Sequence, residues 1–162
     1  MKPKTVGKLI VTTPTALTIR IEREFDAPRE LLFDAHTRAD LVKRWLLGPG
    51  DWSMPECEID LRVGGEYRYL WRHPAKGDMG LNGKFVDIDP PAKLVTTERF
   101  DDEWYPGECT NTIEFKSVAG KTRMVLTMKY QSEEARNVAL KSPMDEGIEA
   151  GYERLDVLLM PA

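Results

Sequence analysis

The sequence predicts an α+β fold in which a curved antiparallel sheet wraps around a long C-terminal helix, with two short helices after the first strand. Apolar and polar residues alternate from Leu17, which is typical of a half-buried strand. Strand-like segments separated by Gly and Pro turns fill the middle of the chain, and the apolar spacing becomes helical after Ser132. Strands grouped together, with helices segregated at the ends, indicate α+β and not a doubly wound sheet.

The chain is expected to form one domain, because its 162 residues are enough to bury a sizeable core. Residues 1–16 are expected to be an N-terminal arm with a short strand at Leu9–Thr12, and residues 17–162 the single domain. In the first strand, Leu17, Ile19 and Ile21 alternate with polar residues.

Two short helices follow this strand. Pro28 suits the first turn of a helix, since its missing N–H costs nothing there, and this helix is expected to run to about Thr37. The second is expected from Asp40 to about Leu46, and Gly48-Pro49-Gly50 ends it.

The middle of the chain is expected to contain antiparallel strands joined by tight turns, among them Gly64-Gly65 and Pro90-Pro91. The predicted strands are residues 54–61, 66–72, 81–89, 93–100, 109–118 and 122–130.

The C-terminal region is helical in two pieces. Ser132 followed by two glutamates is typical of a helix start, and Ser142-Pro143 interrupts the helix, because a residue before proline avoids the helical region. The second piece, to about Leu159, carries an apolar stripe that needs a partner surface. The concave face of the sheet is the only large apolar surface available, and a helix packed flush on it would leave no cavity.

Composition excludes several functional classes. The net charge is −4 and the basic residues form no dense run, which argues against nucleic-acid binding. No apolar segment approaches about 18 residues, so no membrane span is expected. The start of the chain lacks a signal-type apolar stretch, so we expect a cytoplasmic protein with Cys57 and Cys109 reduced.

Several phrases, in this order and spacing, resemble the family of activators of heat-shock protein 90 ATPase, part of the START-like, polyketide-cyclase-like (SRPBCC) superfamily. The resemblance covers residues 17–160 and implies the helix-grip fold. The phrases are Phe25-Asp26-Ala27-Pro28, Lys43-Arg44-Trp45, residues 63–68, residues 82–95, residues 120–124 and Met144-Asp145-Glu146-Gly147.

The chain departs from the family pattern at two positions. Family members usually have an aromatic residue directly after the glycine of the terminal helix, where this chain has Ile148. They often have a hydrophobic residue where Glu98 lies on the Leu94-Thr96-Glu98-Phe100 face of a strand. Eukaryotic members that stimulate the chaperone also carry a separate preceding domain, for which this chain has no room, so chaperone contact is not the favoured expectation.

The leading hypothesis is a binding module that holds a small hydrophobic or amphipathic molecule between the sheet and the C-terminal helix. Ligand sites are mostly apolar and aromatic with a few polar groups. Plain core packing is the alternative for each residue taken alone. The candidate ligand-binding residues are Trp45, Trp52, Tyr67, Tyr69, Trp71, Phe85, Glu98, Phe100, Met128, Met144, Ile148 and Tyr152.

Two other hypotheses stay open. A cyclase- or hydrolase-type enzyme would use Glu98 as its acid or base, since burial raises a carboxyl pKa. The alternative for Glu98 is a structural position, either hydrogen-bonded to Tyr67, Tyr69 or an arginine, or turned outward by a bulge. An interaction protein, forming a homodimer through a sheet edge or binding a chaperone, is the third hypothesis.

No cofactor or metal is expected. His36, His73 and the two cysteines match no ligand spacing, and no glycine-rich loop opens a helix. The loop from Asp101 to Tyr105 is acidic and aromatic; it is either a lip over the cavity mouth, a partner contact or a solvated loop.

Overall fold

The computed structural model describes residues 2–161; Met1 and Ala162, the ends of the expected arm and domain, lie outside the described residues. Within that range the chain forms a nine-stranded antiparallel sheet in the order β1-β2-β3-β9-β8-β7-β6-β5-β4. The strands are β1 Lys4–Val6, β2 Leu9–Thr12, β3 Thr18–Phe25, β4 Ser53–Ile59, β5 Glu66–His73, β6 Gly77–Asp89, β7 Lys93–Phe100, β8 Cys109–Val118 and β9 Lys121–Lys129. The helices are α1 Arg29–Thr37, α2 Ala39–Trp45, α3 Glu133–Lys141 and α4 Met144–Leu158.

This architecture confirms the predicted α+β, helix-grip fold, including the break between the last two helices. Ser132 caps α3 as its sequence predicts, with its hydroxyl accepting from the Ala135 N–H at 3.1 Å. Pro28 lies at the cap of α1, one residue before the helix.

Two strands differ from the sequence prediction. Lys4–Val6 forms the unpredicted strand β1, so the predicted strand at Leu9–Thr12 is one arm of a hairpin at the sheet edge. β6 begins at Gly77, four residues before the predicted start, because the turn before it is short. The His73 ring Nδ1 accepts from the Ala75 and Lys76 N–H groups at 3.0 and 3.1 Å and closes that turn.

Helix α4 lies against one part of the sheet and not across all of it. Its nearest neighbours are α2 and the β1–β2 hairpin. The Gly151 position allows the close approach to α2, since an added Cβ would lie 3.1 Å from the Trp45 carbonyl oxygen. A cavity of only about 10 Å³ lies between β2, β3 and the junction of α3 with α4, so the packing at that place is tight.

Buried ion pairs hold α4 on this side of the sheet. The Arg23 guanidinium, whose side chain is 1% exposed, donates to Glu149 at 2.7 Å and to both carboxylate oxygens of Asp156 at 2.9 and 2.7 Å. The free Glu149 oxygen accepts from the Lys8 N–H at 2.6 Å. Lys4 adds an ion pair with Asp145 at 2.8 Å.

This cluster was not predicted, although its signal is present in the sequence. Arg23 continues the inward period-two pattern between Ile21 and Phe25, and the α4 carboxylates recur at helical spacing. These ion pairs hold α4 against β3 and the β1–β2 hairpin, at one end of the strand order.

Candidate functional site

The concave face of the sheet is densely packed near α4 and incompletely packed at its centre. Ile19 and Ile21 on β3 are 0% and 1% exposed. Central strands β7 and β8 are hydrogen-bonded on both sides, yet inward positions on them keep accessible surface. The half-buried inward residues on these and adjoining strands are Tyr69, Glu98, Phe100, Asn111, Ile113 and Leu126.

Accessible surface at these positions indicates space between the sheet and α4. On β8, for example, Asn111 and Ile113 lie between Cys109 and Phe115, which are 0% and 1% exposed. A helix packed flush on the sheet would bury all four, because successive inward positions share one face. We call the region bounded by the six half-buried residues the central hollow.

Glu98 supplies the carboxyl group of the central hollow. It lies on the same face of β7 as the buried Leu94 and Thr96, and the β7–β8 register runs without a bulge. The Tyr105 hydroxyl donates to Glu98 Oε2 at 2.7 Å, and the Asn111 side-chain amide donates to Oε1 at 2.5 Å. Glu98 therefore points inward.

The alternative interpretation of Glu98, a hydrogen bond to Tyr67, Tyr69 or an arginine or an outward turn at a bulge, is therefore wrong. The bulges of the sheet lie in β4 and β6 and leave β7 regular, so nothing turns the side chain outward. Its partners are neither Tyr67, Tyr69 nor an arginine. The Tyr67 hydroxyl instead donates to the Thr97 carbonyl oxygen at 2.6 Å, with its ring lying over Gly83, where any Cβ would collide with it.

Burial dominates the electrostatics around Glu98. Desolvation raises the pKa of this carboxyl above its ordinary value, and the hydrogen bonds from Tyr105 and Asn111 oppose that rise. Burial likewise raises the pKa values of the Tyr105 hydroxyl and the Cys109 thiol, and the nearby carboxylate adds to both shifts. These neighbours are therefore neutral donors around a single acidic group.

Aromatic rings form a continuous wall beside the carboxyl. The Phe100 ring lies 6.5 Å from Trp71, 5.7 Å from Trp104 and 6.0 Å from Tyr105, measured between ring centroids. Tyr105 also contacts Trp104 edge-on at 4.7 Å. The loop after β7 thus folds inward through Tyr105, which is 4% exposed, and is not merely a solvated loop.

The predicted ligand-binding residues separate into two groups of six. The first group is fully buried in the main core, with the Trp45 and Trp71 indole N–H groups donating to the carbonyl oxygens of Ala35 and Leu46. Its members are Trp45, Tyr67, Trp71, Phe85, Met128 and Tyr152. The second group is half-buried and packs against that core. Its members are Trp52, Tyr69, Glu98, Phe100, Met144 and Ile148.

Neither hydrogen-bond donor to Glu98 was predicted: Tyr105 was assigned only to a loop, and Asn111 was not a candidate. Asn111 was detectable, since it is two residues from Cys109 on a predicted strand and so shares its face. Nothing in the sequence indicates that the Tyr105 hydroxyl reaches back to Glu98, because a loop has no periodicity.

His36 lies in the last turn of α1, where its half-buried side chain packs against aromatic rings. Its ring lies 4.8 Å from Trp45 and 5.2 Å from Phe115, and its Nδ1 donates to the Leu32 carbonyl oxygen at 2.7 Å. Burial lowers its pKa to about 4, so the ring is neutral at pH 7 and Nε2 keeps an acceptor lone pair.

Two further structural features bear on function. An open groove of about 540 Å³ lies on the outer side, lined by residues of α1, α2 and the end of α4, and is separate from the central hollow.

Within residues 2–161, no three metal-ligating side chains come together, and no helix has the length and apolar character needed to cross a bilayer.

Comparisons with known proteins agree on fold and family. The family model described as Activator of Hsp90 ATPase homolog 1-like protein matches residues 26–160. A solved structure from Rhodobacter sphaeroides is 30% identical, with a TM-score of 0.88 over 94% of this chain and 97% of that one. Protein Ms6760 from Mycobacterium smegmatis is 25% identical, with a TM-score of 0.80 over 94% and 98% of the two chains.

A more distant likeness concerns the fold alone. CalU16 from Micromonospora echinospora is 19% identical, with a TM-score of 0.61 over 98% of this chain and 83% of that one. No protein with curated annotation matches the sequence.

Proposed function

This chain belongs to the Activator of Hsp90 ATPase homolog 1-like family, and on that premise we propose that it is a binding module for a small hydrophobic or amphipathic molecule held between the sheet and α4. The central hollow is the observation that carries the proposal. Inward residues in the middle of a sheet keep surface that the chain does not cover, while those beside α4 are buried.

The chemistry of the hollow supports such a ligand. Phe100, Ile113 and Leu126 supply apolar surface, and Glu98 and Asn111 supply polar groups at one place. Binding sites for small molecules combine a mostly apolar lining with a few polar groups that orient the ligand. We also propose a cytoplasmic location, which is consistent with two free cysteines in the structure.

A thermal-shift screen with lipid-like and aromatic compounds tests this proposal. A true ligand stabilises the folded protein progressively as its concentration exceeds the dissociation constant. Ile148 is half-buried on the inner stripe of α4, so Ile148→Trp is expected to fill the hollow and abolish the shift.

The matched control lies on the same helix. Val157 is 65% exposed, so Val157→Trp adds the same side chain outside the hollow and is expected to leave ligand-induced stabilisation unchanged. Equal loss of the shift in both variants, or no shift with any compound class, contradicts the proposed site.

A second candidate function is acid–base catalysis by Glu98 on a ligand in the hollow. The observation that favours it is an inward carboxyl on a half-buried side chain whose pKa is raised by burial, as expected of a general acid or base. Turnover of a bound ligand that disappears in Glu98→Gln, with binding retained, supports catalysis; unchanged turnover in that variant rejects it.

A further inference from the structure

The Glu98 carboxyl has no cationic partner in the part of the chain that the structure describes. The pKa of Glu98 is raised by burial and lowered by hydrogen bonds from the Tyr105 hydroxyl and the Asn111 amide, and both of these donors are neutral. The two buried carboxylates of α4 both have a cation: Glu149 is paired with Arg23 at 2.7 Å and Asp145 with Lys4 at 2.8 Å. A buried carboxylate ordinarily needs a counter-charge, because desolvation of an unpaired charge is costly.

The hydrogen bonds at Glu98 have the pattern of an ionised acceptor. Each oxygen receives one donor, from Tyr105 at 2.7 Å and from Asn111 at 2.5 Å. The Asn111 amide oxygen faces the Cys109 thiol at 3.5 Å, which assigns its NH₂ group to Glu98. A carboxylate offers about four lone-pair sites, so two remain for a ligand.

The rings beside this carboxylate also suit a positive charge. Phe100 and Trp104 lie next to Tyr105, and on β5 the Tyr69 ring lies 5.8 Å from the Trp71 ring. The face of an aromatic ring attracts a cation, most strongly where water is excluded. A carboxylate on the ligand would meet repulsion from Glu98, and none of the six residues that bound the hollow is a cation that could offset it.

We propose, on the basis of the binding function proposed above, that the central hollow selects ligands with a protonated amine on an apolar or aromatic body. The ammonium group donates to the free lone pairs of Glu98 and lies against the aromatic wall. The apolar body contacts Ile113, Leu126 and Ile148.

A headgroup series tests this selectivity at pH 7. Naphthylalkyl and long-chain alkyl amines are compared with the alcohols and carboxylic acids of the same body, by calorimetry on the wild-type protein. We expect the amine to bind at least about tenfold more tightly than the alcohol, the scale of one charge-assisted contact, and the acid to bind most weakly.

Two variants assign the preference to the carboxylate. Glu98→Gln is expected to reduce the amine-over-alcohol ratio to below about twofold while alcohol binding persists, since it removes the charge and one acceptor oxygen but keeps the shape of the side chain. Tyr105→Phe keeps the charge and is expected to keep the preference. If Glu98→Gln fails to fold, the relative affinities of the wild-type protein for the amine, the alcohol and the acid still decide whether it prefers amines.

Each outcome separates this inference from the binding function. Alcohols or acids that bind as tightly as amines, or a preference that survives Glu98→Gln, overturn the amine selectivity and leave the binding module intact. If no compound of any headgroup binds, the binding function fails and the selectivity fails with it.

Discussion

Replacing Arg23 by methionine is expected to destabilise the fold strongly. The Arg23 side chain is 1% exposed and that of Glu149 is 5% exposed, so the substitution leaves a buried carboxylate whose remaining contact is the Lys8 N–H. Removing one partner of a buried ion pair typically costs about 3–5 kcal/mol. That is a large part of the 5–15 kcal/mol by which a domain is usually stable.

Arg72→Met is the matched control. Arg72 also makes a two-pronged contact to one carboxylate, with distances of 2.9 and 3.0 Å to Asp78, but the two side chains are 56% and 44% exposed. Exposed pairs contribute about 0–1 kcal/mol, because water screens the charges. Both variants remove an arginine that makes a two-pronged contact to an aspartate, but Arg23 is buried and also pairs with Glu149, whereas Arg72 is exposed and contacts Asp78 alone.

Urea unfolding followed by circular dichroism measures both free energies. The double variant Arg23→Met, Glu149→Met is expected to recover most of the loss, since a buried pair replaced by apolar residues is often neutral. Costs for Arg23→Met and Arg72→Met that agree within about 0.5 kcal/mol, or a double variant less stable than Arg23→Met, would show that the buried ion pair does not stabilise the fold as described.

Three further outcomes are expected. Gly147→Ala should stabilise the protein by about 1 kcal/mol, because the added Cβ meets no atom within 4 Å. Gly151→Ala should stabilise it less, because the added Cβ would lie 3.1 Å from the Trp45 carbonyl oxygen. Equal increases in the free energy of unfolding, measured by thermal unfolding, would contradict this. The pKa of His36 is about 4 against 6.5 in the unfolded chain, so stability should fall by about 2–3 kcal/mol as the pH drops from 6.5 to 4, and His36→Gln should remove that slope in urea titrations. The pKa of Glu98 is raised, so the unfolded chain releases this proton first and stability should fall as the pH rises above 4.5; a Glu98→Gln protein with the same slope would argue against it.

Local patterns were sufficient to predict most of the elements. The alternation through Ile19 and Ile21 predicted β3, and Ser132 predicted the start of α3, because both signals depend only on neighbouring residues. β1 was missed, since three residues are too few for a periodic signal. The end of the β5–β6 turn was misplaced because the His73 side chain closes it.

The candidate site was predictable in part. Period two placed Glu98 on the same face as the apolar residues of β7, and the structure adds its inward direction and its two donors, Tyr105 and Asn111. Trp45 and Tyr152 have the residue types of a ligand site but are 2% and 4% exposed within the core. Residue type and spacing cannot separate these cases, because burial depends on the distance between the sheet and α4.

Periodicity and turn chemistry are local properties, and they predicted the type and order of the elements apart from β1. The phrases that carry the family resemblance are also local, but the direction of Glu98 was left open between inward and outward. The direction of the Glu98 side chain and the position of α4 on the sheet depend on contacts between distant residues. The Arg23–Glu149 pair and the close approach at Gly151 join residues far apart in the chain, and they hold the helix beside β2 and β3. The surface left uncovered on β7 and β8 follows from that placement and not from any local pattern.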